Sequence, residues 1–476
     1  MKNKHLLLVI LAAFIIIQPF IDILTALTME SSDSSLTVGI ILRMVYMALM
    51  AAFITYAALH SGRAKLYFAY LAGFAILIIV NFVVNYSVKD PYFLMEELSF
   101  YSKTVYFHVL FFGFLLVLEE MKKNGTDTKN QLINYFLIVS LIISSIFVIA
   151  QLTGTSIQIY SGVKEGWSGW FSAGNEIGSI MTVLLPITAL FAVYRTYKIK
   201  DVVKWLPFIL LSLSMLALGT KVGYGGIVIT LLTVIGGSAI MLVWKNGSEE
   251  IKKVKANLIV TIGLLIILVI VTPFTPVFNN MFSHFNILGI SFEEKVPYII
   301  DEELTKEQNE VLKKEKKKHD KEQAVTSAQV ENLIFSSREN YVEDYKRQFM
   351  DAPNSQQLFG MGYAGNYKIE ESGLPRFKMI EMDFHDWFYS LGIIGFIYIM
   401  GPLIWFPGIY IFKFLVNFKT KFDYFHLLTG VSFLLGIGIA YTAGHVFTAP
   451  QVSIYMAFLL AVLIIVDKKQ TIKAAK

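Results

Sequence analysis

Titratable side chains interrupt apolar stretches that are otherwise long enough to cross a membrane. The set comprises Asp22, Arg43, Lys103, His108, Glu176, Lys221, His385 and His445. An ionisable group inside a bilayer is energetically expensive, so such residues usually face a cavity, pair with one another or contact a substrate. Asp22 and Arg43 suit a structural ion pair as well as a site, and Lys103, His108 and His445 are assigned only as cavity-lining residues.

Arg338 is a further candidate, in a more polar segment. Ser336-Ser-Arg-Glu339 has the spacing of a capping box. The aromatic side chains that follow recur at helical spacing: Tyr341, Tyr345 and Phe349. The pattern predicts a short amphipathic helix with Arg338 in its first turn, where free backbone N–H groups already favour an anion. The alternative is a loop arginine paired with a neighbouring carboxylate.

The composition is that of an integral membrane protein. Of the residues, 55% are hydrophobic and 16% charged, whereas about a quarter of the residues in soluble domains are charged. Cysteine is absent, which removes disulfides, thiolate metal sites and a cysteine nucleophile. The apolar stretch after the first residues is too long for a signal-peptide core and lacks a cleavage site, so it is interpreted as the first span.

An α-helical span needs about twenty apolar residues, and twelve stretches of the sequence qualify. They cover residues 5–28, 36–59, 66–86, 98–118, 131–151, 176–194, 205–220, 224–244, 258–276, 386–411, 427–444 and 452–466. The sequence therefore predicts an all-α polytopic membrane protein of about 12 transmembrane helices. It divides into spans one to nine at 1–276, a large loop with short helices at 277–384, and three spans with a tail at 385–476.

Lysine and arginine are unevenly divided between the two sides of these spans. The connections on one side, which include both termini, hold 22 of them, and the opposite short loops hold only Lys89, Lys164 and Lys221. Positive residues stay on the cytoplasmic side, so both termini are predicted to be cytoplasmic and the long loop external. The polar residues inside spans then lie at mid-membrane or nearer the outer face, which predicts a polar cavity opening at the outer leaflet.

The long loop contains two further recognisable stretches. Residues 301–322 are almost purely charged, and such a block predicts a solvated helix or a mobile excursion because it cannot bury a core. Residues 358–365 form a Gly-rich turn. That turn lacks the preceding strand and following helix of a nucleotide-binding fingerprint, so no nucleotide site is predicted there.

Three segments together resemble the superfamily of O-antigen ligases and O-antigen polymerases, membrane enzymes that move glycans off polyprenyl diphosphate. The first, Trp167-Ser-Gly-Trp-Phe-Ser-Ala-Gly-Asn175-Glu-Ile-Gly178, is similar to the family's Gly-x-Phe-x-x-x-Asn element. The second, Leu218-Gly-Thr-Lys221-Val-Gly223, has a lysine where the family usually has the arginine of Ser-Arg-Gly. The third joins Ser336-Ser-Arg338, Phe359-Gly-Met-Gly362, His385-Asp386 and Leu391-Gly-Ile-Ile-Gly395, with aspartate in place of the asparagine of a His-Asn pair.

The resemblance implies a GT-C-like fold and glycosyl transfer with undecaprenyl diphosphate as the leaving group. Arg338 would grip the phosphates bidentately and Lys221 would act as a point charge, stabilising the negative charge that develops as the bond breaks. His385, a side chain that titrates near neutrality, would take the proton of the acceptor hydroxyl. Its orienting partner would be Asp386, Asp383 or Glu381.

Arg43 and Asn175 complete the predicted site as substrate-binding residues. Arg43 would face the lipid diphosphate unless it pairs with Asp22. Asn175 would contact substrate unless it serves as an N-cap or an interhelical hydrogen-bonding residue. No metal or other cofactor is expected, because the arginine and lysine can neutralise the diphosphate, and inversion at the anomeric carbon is expected because nothing indicates a covalent intermediate.

The leading prediction is a polymerase that joins lipid-linked repeat units into a surface polysaccharide at the bacterial plasma membrane. A ligase that passes a finished glycan to a lipid, wall polymer or protein differs only in its acceptor. A transporter or flippase would predict two similar six-span halves or broken helices with midplane charges, which the sequence lacks. The expected partners are the lipid-linked donor, the glycan acceptor, the bilayer, a chain-length regulator and a flippase, and not nucleic acid.

Overall fold

A computed structural model describes residues 2–31, 37–160, 164–244, 248–287, 338–367, 377–442 and 444–467. The charged stretch 301–322 and Ser336 of the predicted capping box lie outside the described residues. Helices account for 83% of the structure, and the only pairing of extended backbone recorded among the described residues is an isolated bridge between Gln158 and Trp167. The predicted all-α class is therefore confirmed.

The helices are numbered here in chain order. They are α1 Lys2–Ala13, α2 Gln18–Ser31, α3 Val38–Ala58, α4 Gly62–Val88, α5 Leu94–Lys123, α6 Thr128–Leu152, α7 Gly174–Arg195, α8 Leu206–Leu218, α9 Lys221–Trp244, α10 Ser248–Val271, α11 Pro276–Ile287, α12 Arg338–Asp351, α13 Asn354–Phe359, α14 Asp383–Val416, α15 Phe418–Lys421, α16 Tyr424–Thr442 and α17 Pro450–Val466. Short 3-10 segments at Phe14–Ile17, Ile199–Trp205 and Thr272–Phe274 adjoin α1 and α2, α8, and α10.

Eleven helical segments among the described residues are long and apolar enough to cross a membrane, and α17 is a shorter apolar helix. This agrees with the predicted count of about twelve. The predicted span 386–411 lies within α14, which extends from Asp383 to Val416. Residues 412–416 are Phe-Lys-Phe-Leu-Val, so the helix continues through mostly apolar residues beyond the predicted end of the span.

The centre of the bundle is formed by α5, α7 and α17. Helix α17 is buried along almost its whole length and packs mainly against α5. Its sequence is apolar on every face, which is the pattern of a helix surrounded by other helices rather than by lipid on one side. These three helices begin close to the candidate site and provide a rigid base for it.

Helix α14 is broken at Gly392, where the backbone has φ 70° and ψ −176°. The turn formed by residues 359–362 packs into this break, and the Gly362 N–H donates to the Ser390 carbonyl at 3.0 Å. A Cβ atom at Gly360 would lie only 2.0 Å from the Ser390 oxygen, so glycine is required for this close approach. The Gly-rich turn thus fixes the first turns of α14.

Polar side chains from α4 and α5 hold this junction together. Asn81 Nδ2 donates to the Ser390 carbonyl at 2.9 Å, and Asn85 Nδ2 donates to the Gly360 carbonyl at 3.0 Å. The Tyr101 hydroxyl also donates to the Ser390 carbonyl, at 3.0 Å. A carbonyl released from a broken helix needs such partners, and these bonds tie the start of α14 to the bundle.

Candidate functional site

Helices α5, α7, α9, α14 and α17 begin at one end of the bundle, which we call the loop end because the described residues 338–367 and 377–382 lie there. A helix start carries free N–H groups and the positive end of the helix dipole. Several such starts at one end give this region a positive potential before any side chain is considered. The predicted site residues are distributed around these starts.

Asp386, in the first turn of α14, binds the backbone that precedes this helix. Its carboxylate accepts three backbone N–H groups, from Ile380 at 2.9 Å, Glu381 at 3.1 Å and Met382 at 3.2 Å. The side chain is completely buried. Asp386 therefore folds the preceding segment back over the helix start and holds Glu381 in place.

Asp383 is also completely buried, and it binds the segment between α16 and α17. It accepts the N–H groups of Val446 and Phe447, each at 2.7 Å, and that of Thr448 at 3.3 Å. The Thr448 hydroxyl donates to it as well, at 2.5 Å. Asp383 thus joins the start of α14 to the approach of α17.

His445 precedes that segment and lies beside the same aspartate. Its Nδ1 atom is 2.9 Å from Thr448 Oγ1 and 3.6 Å from Asp383 Oδ1. Burial alone would lower the pKa of His445, but Asp383, with Asp386 and Glu176 farther away, raises that pKa to about 9. The imidazole is therefore protonated at neutral pH.

His385, the predicted base, is half-buried on the first turn of α14, and its ring centroid is 5.8 Å from that of Tyr441. Its Nδ1 atom is buried and has no hydrogen-bond partner among the described residues. The oxygens of Asp383 and Asp386 are occupied by backbone N–H groups, and Glu381 binds two cations. Within the described part of the chain, the expectation that one of these carboxylates orients His385 is therefore wrong.

Arg338 lies in the first turn of α12, as predicted, and its guanidinium donates to Glu381 Oε2 at 3.2 Å. Lys378 donates to the other oxygen of Glu381 at 2.5 Å. Burial alone would raise the pKa of Glu381, but Lys378 and Arg338 hold that pKa below its usual value. Glu381 also has a φ of 66°, uncommon for a residue with a side chain, and its N–H bond to Asp386 fixes this conformation.

Lys221 begins α9, immediately after a tight turn. Helix α8 ends at Gly219 in the left-handed conformation, with φ 77°. Asn280 donates to the Gly219 carbonyl at 2.9 Å and accepts the Glu165 N–H at 2.8 Å. A Cβ atom at Gly219 would lie 2.6 Å from the Glu165 carbonyl, so the turn depends on glycine, and it sets the position of Lys221.

Lys164 and Arg338 each lie within electrostatic range of Lys221, and we call these three side chains the cation cluster. Like charges at such separations repel, and Glu381 pairs with Arg338. An anion between these side chains would relieve the repulsion and gain charge-assisted hydrogen bonds. The cation cluster is therefore suited to a phosphate-bearing ligand.

The remaining predicted site residues, Arg43 and Asn175, lie outside the cation cluster. Arg43 is buried in an ion pair with Asp22 and donates from Nε to Gln18 at 3.0 Å. Its contacts are therefore those of the structural ion pair that was the alternative to substrate binding. Asn175 is exposed in the first turn of α7, where Ala173 occupies the N-cap position. The N-cap interpretation of Asn175 is therefore wrong, because the helix begins two residues earlier than that role requires.

Of the three side chains assigned as cavity-lining, two face a cavity. Lys103 and His445 line a cleft formed by two adjoining cavities of about 410 and 280 Å³ at the loop end. The residues common to both cavities are Ser99, Lys103, Glu176, Pro450 and Gln451. His108 is instead completely buried, with its ring nitrogens 3.4 Å and 3.3 Å from the carbonyls of Thr104 and Ile399.

Sequence reasoning missed Lys164 and the segment 446–448 as parts of the site region. Lys164 is one of three positive residues in the predicted external short loops, and that rarity is the signal that singles it out. The segment 446–448 carries no such signal, because it contributes backbone N–H groups. The described residues contain no group of three His, Asp or Glu side chains placed to share a metal ion.

The sequence was also compared with known proteins. It matches the family described as O-antigen ligase like membrane protein over residues 2–470, which is nearly the whole chain. No curated protein and no solved structure matches the chain.

Proposed function

This chain belongs to the family of O-antigen ligase-like membrane proteins, and we propose that it transfers a glycan from undecaprenyl diphosphate to an acceptor hydroxyl. Family membership supports a membrane enzyme of the glycan ligase or polymerase type. Our proposal is narrower: the chain polymerises the repeat units of a surface polysaccharide. In this proposal it lies in the bacterial plasma membrane with both termini in the cytoplasm, and the loop end faces the outside.

The cation cluster is the observation that carries the proposal. Lys221 and Arg338 come from segments more than a hundred residues apart, and the turn at Gly219 and the helix start at Arg338 bring them within electrostatic range. A diphosphate carries negative charge that both side chains attract. Arg338 can present two parallel N–H groups to phosphate oxygens, whereas Lys221 contributes a compact positive charge.

The proposed reaction is a direct displacement at the anomeric carbon. The acceptor hydroxyl gives its proton to His385, its oxygen forms the new glycosidic bond, and the bond between the anomeric carbon and the diphosphate oxygen breaks. The electron pair leaves with undecaprenyl diphosphate, where Lys221 and Arg338 stabilise the negative charge. A single displacement inverts the anomeric configuration and needs no metal ion in this scheme.

A ligase is the second candidate, because the family description itself names ligases. It would use the same donor and the same cations, and it would differ in the acceptor. Supplying purified protein with lipid-linked repeat units alone separates the two. A polymerase lengthens the glycan under these conditions, whereas a ligase releases no carrier until its own acceptor is added.

The test uses purified protein in liposomes with lipid-linked repeat units, scored by gel for glycan length and by phosphate assay for released carrier. We expect Lys221→Arg to retain activity and Lys221→Glu to abolish it, because only the arginine preserves attraction for the diphosphate. The matched controls are Lys65→Arg and Lys65→Glu, an exposed lysine just after the start of α4. Normal turnover by Lys221→Glu would show that the diphosphate is bound elsewhere.

A further inference from the structure

The cleft at the loop end contains charged groups that the proposed reaction does not use. We infer that the cleft binds the acceptor saccharide, so that the transferred glycan and its acceptor meet between the cleft and the cation cluster. This inference rests on the proposed function and deepens it by assigning a place to the second substrate. Four observations carry it.

The first observation concerns Lys103 and Glu176, two half-buried ionisable side chains on membrane-spanning helices. Among the described residues, no ion pair or hydrogen bond engages either side chain, although Glu176 interacts at longer range with Asp22 and His445. Ionisable groups at such positions are costly and are retained where they contact a substrate. By contrast, Arg43 is already neutralised by Asp22 and closes one wall of the cleft.

The second observation is the balance of the charges that line the cleft. Its lining carries three carboxylates, from Asp22, Glu96 and Glu176, and three cationic side chains, from Arg43, Lys103 and His445. Because these charges offset one another, the cleft attracts a diphosphate less than the cation cluster does. Carboxylate oxygens accept hydrogen bonds and an ammonium group donates them, so this lining suits a neutral ligand rich in hydroxyl groups.

The third observation is the size and the remaining surface of the cleft. Each cavity is near or within the range of about 300–1,000 Å³ that is usual for small-ligand pockets. Aromatic rings of Phe100, Phe171 and Tyr363 contribute to the walls. A pyranose ring presents apolar C–H faces as well as hydroxyl edges, so aromatic walls with a few polar groups match a saccharide.

The fourth observation is where the cleft meets the cation cluster. Arg338 donates to Glu381, and Glu381 interacts electrostatically with His445, which lines the cleft. In an inverting displacement the acceptor oxygen attacks from the side opposite the leaving group. With the diphosphate at the cation cluster and the acceptor in the cleft, the transferred sugar would lie between the two sites, so that the attacking oxygen and the leaving group would approach it from different sides.

The binding test uses the repeat-unit oligosaccharide released from its carrier lipid by mild acid, which has no diphosphate and can serve only as an acceptor. Binding to the purified full-length chain is followed by tryptophan fluorescence, and each variant is first checked for wild-type thermal stability. We expect Glu176→Gln and Lys103→Met to weaken this binding by roughly 10-fold or more, as for the loss of a hydrogen bond to a charged group. We expect Lys103→Arg to retain most of it.

The controls separate this inference from the proposed function. Arg338→Ala should bind the free oligosaccharide normally, and Glu249→Gln, at an exposed carboxylate at the start of α10, should behave as wild type in every assay. In turnover assays, Glu176→Gln should raise the KM for the added oligosaccharide and leave the KM for the lipid-linked donor unchanged. Wild-type binding by both cleft variants, or no binding by the wild type, would overturn the inference. Oligosaccharide binding without any consumption of donor would leave the cleft assignment standing and refute the proposed function.

Discussion

Replacing Asp383 by alanine tests whether this residue stabilises the fold or orients a catalytic base. The carboxylate is completely buried and accepts hydrogen bonds from three consecutive backbone N–H groups and from the Thr448 hydroxyl. Alanine would leave these donors buried without their acceptor. It would also remove the counter-charge of protonated His445.

The expected loss of stability follows from these bonds. A hydrogen bond to a charged group contributes about 1.5–3 kcal/mol, and a buried donor left without its acceptor costs a similar amount. Three of the four bonds to Asp383 are 2.5–2.7 Å long, but bonds that share one acceptor group are not additive. We therefore expect a loss of about 4 kcal/mol, or roughly 8 °C in melting temperature if each kcal/mol lowers it by about 2 °C.

The assay is thermal unfolding of the purified protein in detergent, followed by the fluorescence of its six tryptophans. Asp351→Ala, at an exposed position at the end of α12, is the matched control and should melt as wild type. A wild-type melting temperature together with lost glycosyl transfer would refute the reasoning. That result would mean that Asp383 acts on the chemistry, and that its bonds to residues 446–448 contribute little.

Four further predictions can be tested with the same preparations. Arg338→Ala should abolish polymer formation without affecting membrane insertion, and Arg338→Lys should retain a little activity because the charge survives without the planar fork; normal polymer from the alanine variant would contradict this. His385→Ala should lose about 10²–10⁴-fold in rate and still bind the lipid-linked donor; full turnover would mean that the base is elsewhere. Gly360→Ala should destabilise the protein, because its Cβ would lie 2.0 Å from a backbone oxygen, whereas Gly225→Ala, where nothing lies within 4 Å, should not. Because the folded-state pKa of His445 is raised to about 9, its contribution to the free energy of unfolding should be complete below about pH 6.5 and disappear as the pH rises through 9. The melting temperature of the wild type should therefore decrease over this pH range, and that of a His445→Gln variant should not show this decrease.

The sequence predicted the elements of the fold because each depends on local pattern. Long apolar runs identified the spans, and the spacing of Tyr345 and Phe349 identified α12, where both side chains are buried. The Asp22–Arg43 ion pair could be anticipated because two opposite charges in apolar surroundings have few other partners. The family resemblance was visible because its motifs are short and contiguous, and the match over residues 2–470 confirms it.

The partners within the site could not be predicted, because they depend on tertiary contacts. Asp383 and Asp386 were natural candidates to orient a neighbouring histidine. In the structure both turn toward backbone N–H groups, and the histidine next to Asp383 is His445. Nothing in the residue types distinguishes these outcomes, because an aspartate near a helix start serves equally well as a cap or as a partner for a side chain. Asn175 illustrates the same limit, since a shift of the helix start by two residues changes its role.

The break in α14 has a consequence for how the chain enters the membrane. A helix that crosses lipid alone must satisfy its own backbone groups, but the carbonyl of Ser390 finds its partners on Asn81 and Tyr101 of other helices. Asn81 precedes Ser390 by 309 residues, so during synthesis α4 and α5 are already available when this segment emerges. The first turns of α14 therefore pack onto helices that are already in the membrane. Substitutions at Asn81 should accordingly reduce the yield of assembled protein more than they reduce the activity of the protein that does assemble.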